Sequence, residues 1–75
     1  MSDRHYHLTH TTWDINTQCY HSDDAAYITR ELAINHAPSG THKRLSAEGH
    51  ISRSGNCDYW QVTHCDLHRC EVRDV

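Results

Sequence analysis

Alternating apolar and polar residues predict strands in the N-terminal part of the chain. Residues 6–10 and 13–17 each alternate, and both stretches are rich in residues that favour β-structure. The polar Thr11 and Thr12 between them predict the turn of a hairpin, although no Gly or Pro marks that turn. One long strand with a bulge is the alternative that the pattern leaves open.

A helical period follows and predicts one α-helix over residues 22–36. Ser22 is a suitable N-cap, and Asp23 and Asp24 fall in the first turn, where the helix dipole favours negative charge. Pro38 ends the helix because it cannot continue the hydrogen-bond pattern. The apolar stripe predicted to face the sheet, with Ala33 beside it, consists of Ala25, Ile28, Thr29, Leu32 and His36.

The residue pattern of the C-terminal half predicts three more strands. The first of them covers residues 45–52. Leu45, Ala47 and Ile51 alternate there with polar residues, and Gly49 is typical of a bulge in such a strand. Residues 54–56 then predict a turn, because Ser, Gly and Asn favour turn conformations.

The last two strands are predicted to form a hairpin. Residues 57–64 place Trp60 and Val62 on one face, which we expect to pack under the helix. Residues 66–67 then reverse the chain into a return strand over residues 68–73.

These elements predict a single α+β domain over residues 1–75, in the order β-β-α-β-β-β. An antiparallel sheet of four to five strands carries the helix on one face. The chain has 75 residues, of which 36% are hydrophobic, and it contains no Phe. So small a core yields only about 3–5 kcal/mol of net stability unless a metal, a disulfide or a partner adds to it. There is too little apolar mass for a separate catalytic cleft, so we do not expect an enzyme.

Charge and hydropathy narrow the class of partner and the location. The formal net charge is −3, and the longest basic cluster is His42-Lys43-Arg44, so direct binding to nucleic acid is disfavoured. No stretch is long and apolar enough to span a membrane, and the N-terminus lacks the apolar part of a signal peptide. We therefore expect a cytoplasmic protein, acting in a host cell, whose cysteines are reduced.

Cysteines and histidines near the C-terminus indicate a possible zinc site. Zinc prefers four tetrahedral nitrogen or sulfur ligands, and the candidate set is Cys57, Cys65, His68 and Cys70, with His64 nearby. The spacing Cys65-x4-Cys70 is slightly long for a zinc knuckle, and Cys57 has no near partner. In the predicted strand, Cys57 and Cys65 lie on the face opposite Trp60, where small buried cysteines are the simpler interpretation.

Two histidines near the N-terminus are a second candidate for metal binding. His5 and His7 point to the same side of a strand, so they could bind a metal together, with His10 as a further ligand. Two imidazoles without a third ligand make only a weak site, and a solvated strand face is the alternative.

A cysteine nucleophile is disfavoured. His64, Cys65 and Asp66 are adjacent in sequence, but neighbours in a strand point to opposite faces. A nucleophile also needs an oriented base and a pocket.

The size, the element order and four short patterns resemble those of small phage-encoded accessory proteins. The patterns are Tyr6-x-Leu8, Trp13-x-Ile15, Ser22-x-x-Ala25-Ala26 and Leu32-Ala33. Several anti-CRISPR inhibitors are similar, with one helix on a bent antiparallel sheet. The resemblance implies a stoichiometric inhibitor that occupies a surface of a host nucleoprotein complex.

We therefore expect a non-enzymatic protein–protein interaction module that needs no cofactor. Charged residues outside the predicted core are the candidates for partner binding: Asp14, Arg44, Arg53, Asp58, Arg69 and Arg73. The alternative is a zinc-stabilised module that uses the C-terminal cysteines and histidine, with nucleic-acid binding as a possible task. The sequence leaves the oligomeric state open.

Overall fold

The N-terminal alternation forms one long strand instead of a hairpin. The computed structural model describes residues 4–55 and 57–75. Strand β1 (His5–Asp14) continues through the predicted turn at Thr11 and Thr12, and the chain reverses only after it. Strand β2 (Cys19–Tyr27) then returns antiparallel, with residue pairs from Tyr6↔Tyr27 to Asp14↔Cys19. The predicted turn is therefore wrong. One long strand is present, as in the alternative, but it ends at Asp14 and its continuous pairing with β2 contains no bulge.

The predicted helix over residues 22–36 is wrong in its first half. Residues 22–27 belong to β2, where the Ser22 hydroxyl bonds the Thr11 hydroxyl at 3.0 Å instead of capping a helix. Helix α1 covers Arg30–Asn35, and the side chain of Thr29 caps it by accepting a hydrogen bond from the Leu32 N–H at 3.0 Å. Residues 22–27 pair with β1 instead, which satisfies their backbone N–H and C=O groups as a helix would. The local helical signals are weak, so this tertiary pairing overrides them.

The predicted strand over residues 45–52 divides into a helix and a short strand. A 3-10 helix (Ser39–Thr41) leads into helix α2 (His42–Glu48), which ends at Gly49 in the left-handed conformation, with φ of 82°. Gly49 is thus a helix C-cap and not a bulge. Arg30 donates from Nη2 to the Leu45 and Ser46 carbonyls at 2.8 and 3.0 Å, which satisfies the end of α2. Strand β3 is only His50–Arg53.

The predicted C-terminal hairpin is correct in its first strand and wrong in its second. Strand β4 (Asp58–Cys65) is present, and Trp60 and Val62 pack against the core under the helices. Both edges of β4 are occupied, by β1 and β3, so no edge remains for a return strand. Only Val72–Arg73 forms a strand, β5, and it pairs with β2 in parallel. The turn predicted over residues 54–56 includes Asn56, which lies outside the described residues.

The α+β class and the five strands are confirmed, whereas the purely antiparallel sheet and the single helix are not. The sheet order is β3-β4-β1-β2-β5, with two short helices over one face. The core between helices and sheet contains Leu8, Tyr27, Ala33, Ile34, Ala37, Leu45 and Val62. Within residues 4–55 and 57–75, no helix is long and apolar enough to cross a membrane.

The sheet order forces the chain to cross the molecule after β4. Residues 66–71, the crossover segment, carry the chain from β4 past β1 and β2 to the far edge of the sheet. This segment passes over the start of β1, on the face opposite the helices, and it delivers Cys70 beside His5 and His7.

Candidate metal centre

Two histidines and two cysteines meet on the sheet face that the helices do not cover. His5 and His7 point to this face because they alternate with Leu8, which lies in the core. Cys65 is the direct antiparallel partner of His5 on β4. Cys70 comes from the crossover segment. Strand pairing and the crossover therefore join residues that are about 60 positions apart in the chain.

The four donor atoms lie close enough together to approach one metal ion. All four lie within 4.8 Å of one another, and the Nε2 atoms of His5 and His7 are 3.0 Å apart. Zinc bonds of about 2.0–2.1 Å to nitrogen and about 2.3 Å to sulfur would place tetrahedral donors about 3.3–3.8 Å apart. His5 is 1% exposed and the other three residues are half-buried. The group could hold a metal ion after shifts of about 1 Å.

The ring of His7 is held in the orientation that metal binding requires. Its Nδ1 lies 2.8 Å from Oδ2 of Asp24 on β2, and Thr9 donates from Oγ1 to Oδ1 of Asp24 at 3.2 Å. An N–H at Nδ1 that donates to Asp24 leaves Nε2 as the acceptor nitrogen, facing His5. Metal-binding histidines commonly have a carboxylate in this position, where it sets the tautomer and raises the basicity of the ligand nitrogen.

The two sulfur atoms lie in different local environments. The backbone N–H of Leu67 donates to Sγ of Cys65 at 3.4 Å. Burial raises the pKa of the Cys70 thiol above its ordinary value, and the hydrogen bond with Cys65 and the charges of Cys65 and Asp24 raise it further. A metal must therefore displace a proton from Cys70 at neutral pH, so its binding should strengthen as pH rises.

The observed group combines halves of the two metal sites that the sequence suggested. Cys65 and Cys70 are shared with the C-terminal set, but Cys57 is not, because it lies at the opposite end of β4, where its carbonyl accepts from the Trp13 N–H at 2.9 Å. His68 lies outside the group, with its side chain exposed. The signal that could have found the group is the pairing of β1 with β4, which one sequence does not reveal.

The six charged residues predicted to bind a partner are scattered over the fold. Each belongs to a different element or connection: Asp14, Arg44, Arg53, Asp58, Arg69 and Arg73. Arg53 on β3 and Arg73 on β5 lie at opposite edges of the sheet, and Arg44 pairs with Glu48 of its own helix at 2.9 Å. Arg53 and Asp58 form an ion pair at 2.8 Å, but the six residues do not form one cluster, and their role in binding stays a prediction.

Asp58 links three strands through its carboxylate. Arg53 donates to Oδ2 from Nε and Nη2 at 3.0 and 2.8 Å, while Nε2 of His10 contacts Oδ1 and the His10 ring stacks on Trp60. Burial raises the pKa of Asp58, but the hydrogen bonds from His10 and Arg53 outweigh it and hold this pKa below its ordinary value. The resulting stabilisation is present above about pH 4 and is lost as pH falls through the folded-state pKa. Charge reversal at Asp58 would disturb the sheet as well as any partner contact.

The end of the β1–β2 hairpin exposes three large apolar side chains. Pairing of β1 with β4 stops at Thr12↔Asp58, so the last part of the hairpin projects beyond β4. Its tip carries Trp13, Ile15 and Tyr20, which are 39%, 78% and 61% exposed. The Trp13 and Tyr20 rings pack edge to face, with centroids 4.9 Å apart. Exposed aromatic residues of this kind are typical anchors for a protein partner.

No protein-family model, curated protein or solved structure matches this chain.

Proposed function

We propose that this chain is a zinc-stabilised interaction module whose metal is held by His5, His7, Cys65 and Cys70. The observation that carries the proposal is the convergence of four donor atoms within 4.8 Å, with His7 already oriented by Asp24. The zinc set suggested by the sequence is thereby revised, with His5 and His7 in place of Cys57 and His68.

The donor chemistry favours zinc over the hard cations. Thiolate sulfur and imidazole nitrogen suit zinc, whereas magnesium and calcium prefer oxygen ligands. Two thiolates and two neutral imidazoles also neutralise a divalent ion, so the half-buried complex carries no net charge. Four protein ligands leave no open position for water or substrate, which is typical of structural and not catalytic zinc.

The zinc would fasten the crossover segment to the sheet. Cys70 lies in this segment, while the other three ligands lie on β1 and β4. Without the metal, β5 holds the C-terminus through two residue pairs, Ala26↔Val72 and Tyr27↔Arg73, and through the hydrogen bond from the Ile28 N–H to the Arg73 carbonyl. A domain with so small a core gains much of its stability from such a link.

Substitution of Asp24 tests the site without removing a ligand. Asp24→Asn should weaken zinc binding about 10-fold to 100-fold, because it removes the carboxylate that orients His7. Zinc content is measured by native mass spectrometry on a chain purified without a histidine tag, and affinity by competition with a chromophoric chelator.

The matched control is Asp23→Asn, which makes the same change of charge one residue away, on the opposite face of β2. Its zinc affinity should equal that of the unsubstituted chain. Equal affinities for both variants would contradict the role of Asp24, and a folded chain that takes up no zinc would refute the metal centre itself.

A second function, compatible with the first, is the capture of a protein partner through the hairpin tip. The exposure of Trp13, Ile15 and Tyr20 supports it, since buried aromatic anchors dominate the energy of most interfaces. Inhibition of a host nucleoprotein complex, which the resemblance to phage-encoded accessory proteins implies, belongs to this proposal.

Substitution of both tip aromatics tests partner capture. We expect the double variant Trp13→Ala and Tyr20→Ala to lose the partner that the unsubstituted chain retains from a lysate of its natural host, while its zinc content is unchanged. Ile28→Ala is the control, because Ile28 is also exposed but lies just after the other end of β2. Retention of the partner by the tip variant would place the contact elsewhere.

A further inference from the structure

We propose that the metal centre is a peroxide-sensitive switch, in which oxidation joins Cys65 to Cys70 and expels the zinc. This inference rests on the proposed zinc site. It adds that the two sulfur ligands are also the two partners of a disulfide, so that one reaction removes half of the ligand set.

The position of the two cysteines favours this reaction over other disulfides in the chain. The sulfur atoms of Cys65 and Cys70 lie within 4.8 Å of each other. Cys65 ends β4, while Cys70 lies in the crossover segment and outside every strand. The remaining approach to a sulfur–sulfur bond of about 2.05 Å therefore needs movement of the crossover segment only.

The other two cysteines are too far away to compete within one molecule. Cys19 pairs with Asp14, and Cys57 bonds Trp13 through its backbone, so both lie at the far end of β1 from His5. Eight residues of extended strand separate that end from His5 and its strand partner Cys65 by about 26 Å. Cys19 and Cys57 also lie on opposite sides of β1, about 10 Å apart across two strand spacings, which is beyond the Cα separation of a disulfide.

The chemistry balances with hydrogen peroxide as the oxidant. One thiolate attacks a peroxide oxygen, the O–O bond breaks, and a sulfenic acid and hydroxide form. The second thiolate attacks the sulfur of that sulfenic acid, so the S–S bond forms, the S–O bond breaks and a second hydroxide leaves. Two protons convert both hydroxides to water. The two thiolates lose two electrons, peroxide gains them, and the zinc leaves as Zn²⁺ without a change of oxidation state.

Loss of both thiolates removes most of the affinity for zinc. His5 and His7 remain, and two imidazoles alone hold zinc weakly compared with a four-ligand site. The crossover segment then keeps its place through the two residue pairs of β5 and through the new disulfide, which draws Cys70 toward Cys65. Oxidation is therefore coupled to a change in the part of the surface that the crossover segment forms.

The test treats the zinc-loaded full chain with hydrogen peroxide and follows zinc with a chromophoric chelator. We expect release of one zinc per chain, together with the loss of two hydrogen atoms in the intact mass and a Cys65–Cys70 link in the peptide map. Dithiothreitol followed by zinc should restore the starting state. The control is the double variant Cys19→Ser and Cys57→Ser, which keeps all four ligands and should release zinc at the same rate.

Different outcomes separate this inference from the proposed function. Zinc that stays bound while peroxide oxidises Cys19 or Cys57 overturns the switch and leaves the metal centre intact. Zinc release with a sulfinic acid, or with a dimer linked through Cys19, also overturns it. A chain that takes up no zinc at all overturns the proposed function and the switch together.

Discussion

Removal of zinc from the purified chain by a chelator is expected to lower its melting temperature by about 10–20 °C. A ligand present at 100 times its Kd adds about 2.7 kcal/mol to the free energy of unfolding when it binds only the folded state. In a domain of this size, about 1 kcal/mol corresponds to about 4–8 °C. The measurement is thermal unfolding by circular dichroism, with and without chelator.

Two histidine variants decide which residues carry this effect. His7→Ala should melt at the same temperature with and without chelator, because the site has lost a ligand. His68→Ala should keep the full dependence on zinc, since His68 lies outside the group of donors. The reverse result would restore the zinc site suggested by the C-terminal sequence, and a melting temperature that never responds to chelator would contradict a stabilising metal.

Replacement of Leu45 by Ala is expected to leave the chain largely unfolded without zinc. Leu45 on α2 is 0% exposed and is among the largest fully buried side chains of the described residues. Truncation of a buried Leu costs about 2–5 kcal/mol, through lost burial and the cavity that remains. The whole core supplies only about 3–5 kcal/mol of net stability, so the loss is comparable with the total. Urea unfolding of the zinc-free variant measures it.

Ile15→Ala is the matched control, because Ile15 is 78% exposed at the hairpin tip. Its free energy of unfolding should change by less than about 0.5 kcal/mol, as is usual for surface substitutions. Excess zinc should recover part of the structure of Leu45→Ala, since it binds only the folded chain. A zinc-free Leu45→Ala variant as stable as the parent would contradict the placement of α2 against the sheet.

Local hydrophobic patterns predicted an element correctly where the spacing of its apolar residues matched only one type of secondary structure. The alternation around Trp60 and Val62 correctly located β4 and its core face. The pattern failed for residues 22–27, because a capping residue and two acidic residues describe a helix start equally well when the partner strand is unknown. The alternating pattern also gave a wrong prediction around Leu45, where residues 42–48 are helical. A short alternation of this kind, here Leu45, Ala47, Gly49 and Ile51, does not distinguish a strand from a helix.

The candidate site depended still more on distant contacts. Both halves of it were visible in the sequence, as two histidines spaced to share a strand face and as two cysteines near the C-terminus. Their combination required β1 to pair with β4, with His5 opposite Cys65. It also required the crossover segment to pass over β1, which follows from the occupation of both edges of β4.

The sequence by itself determined the α+β class, the small core, the position of β4 and the two types of donor available for a metal, imidazole nitrogen and cysteine sulfur. Only the tertiary structure decided the strand order, the parallel pairing of β5, and which two histidines meet which two cysteines. The physical reason is that periodicity and capping act between residues a few positions apart. Strand order and metal geometry instead depend on contacts between residues at opposite ends of the chain. The free energy of those contacts depends on how the whole fold packs.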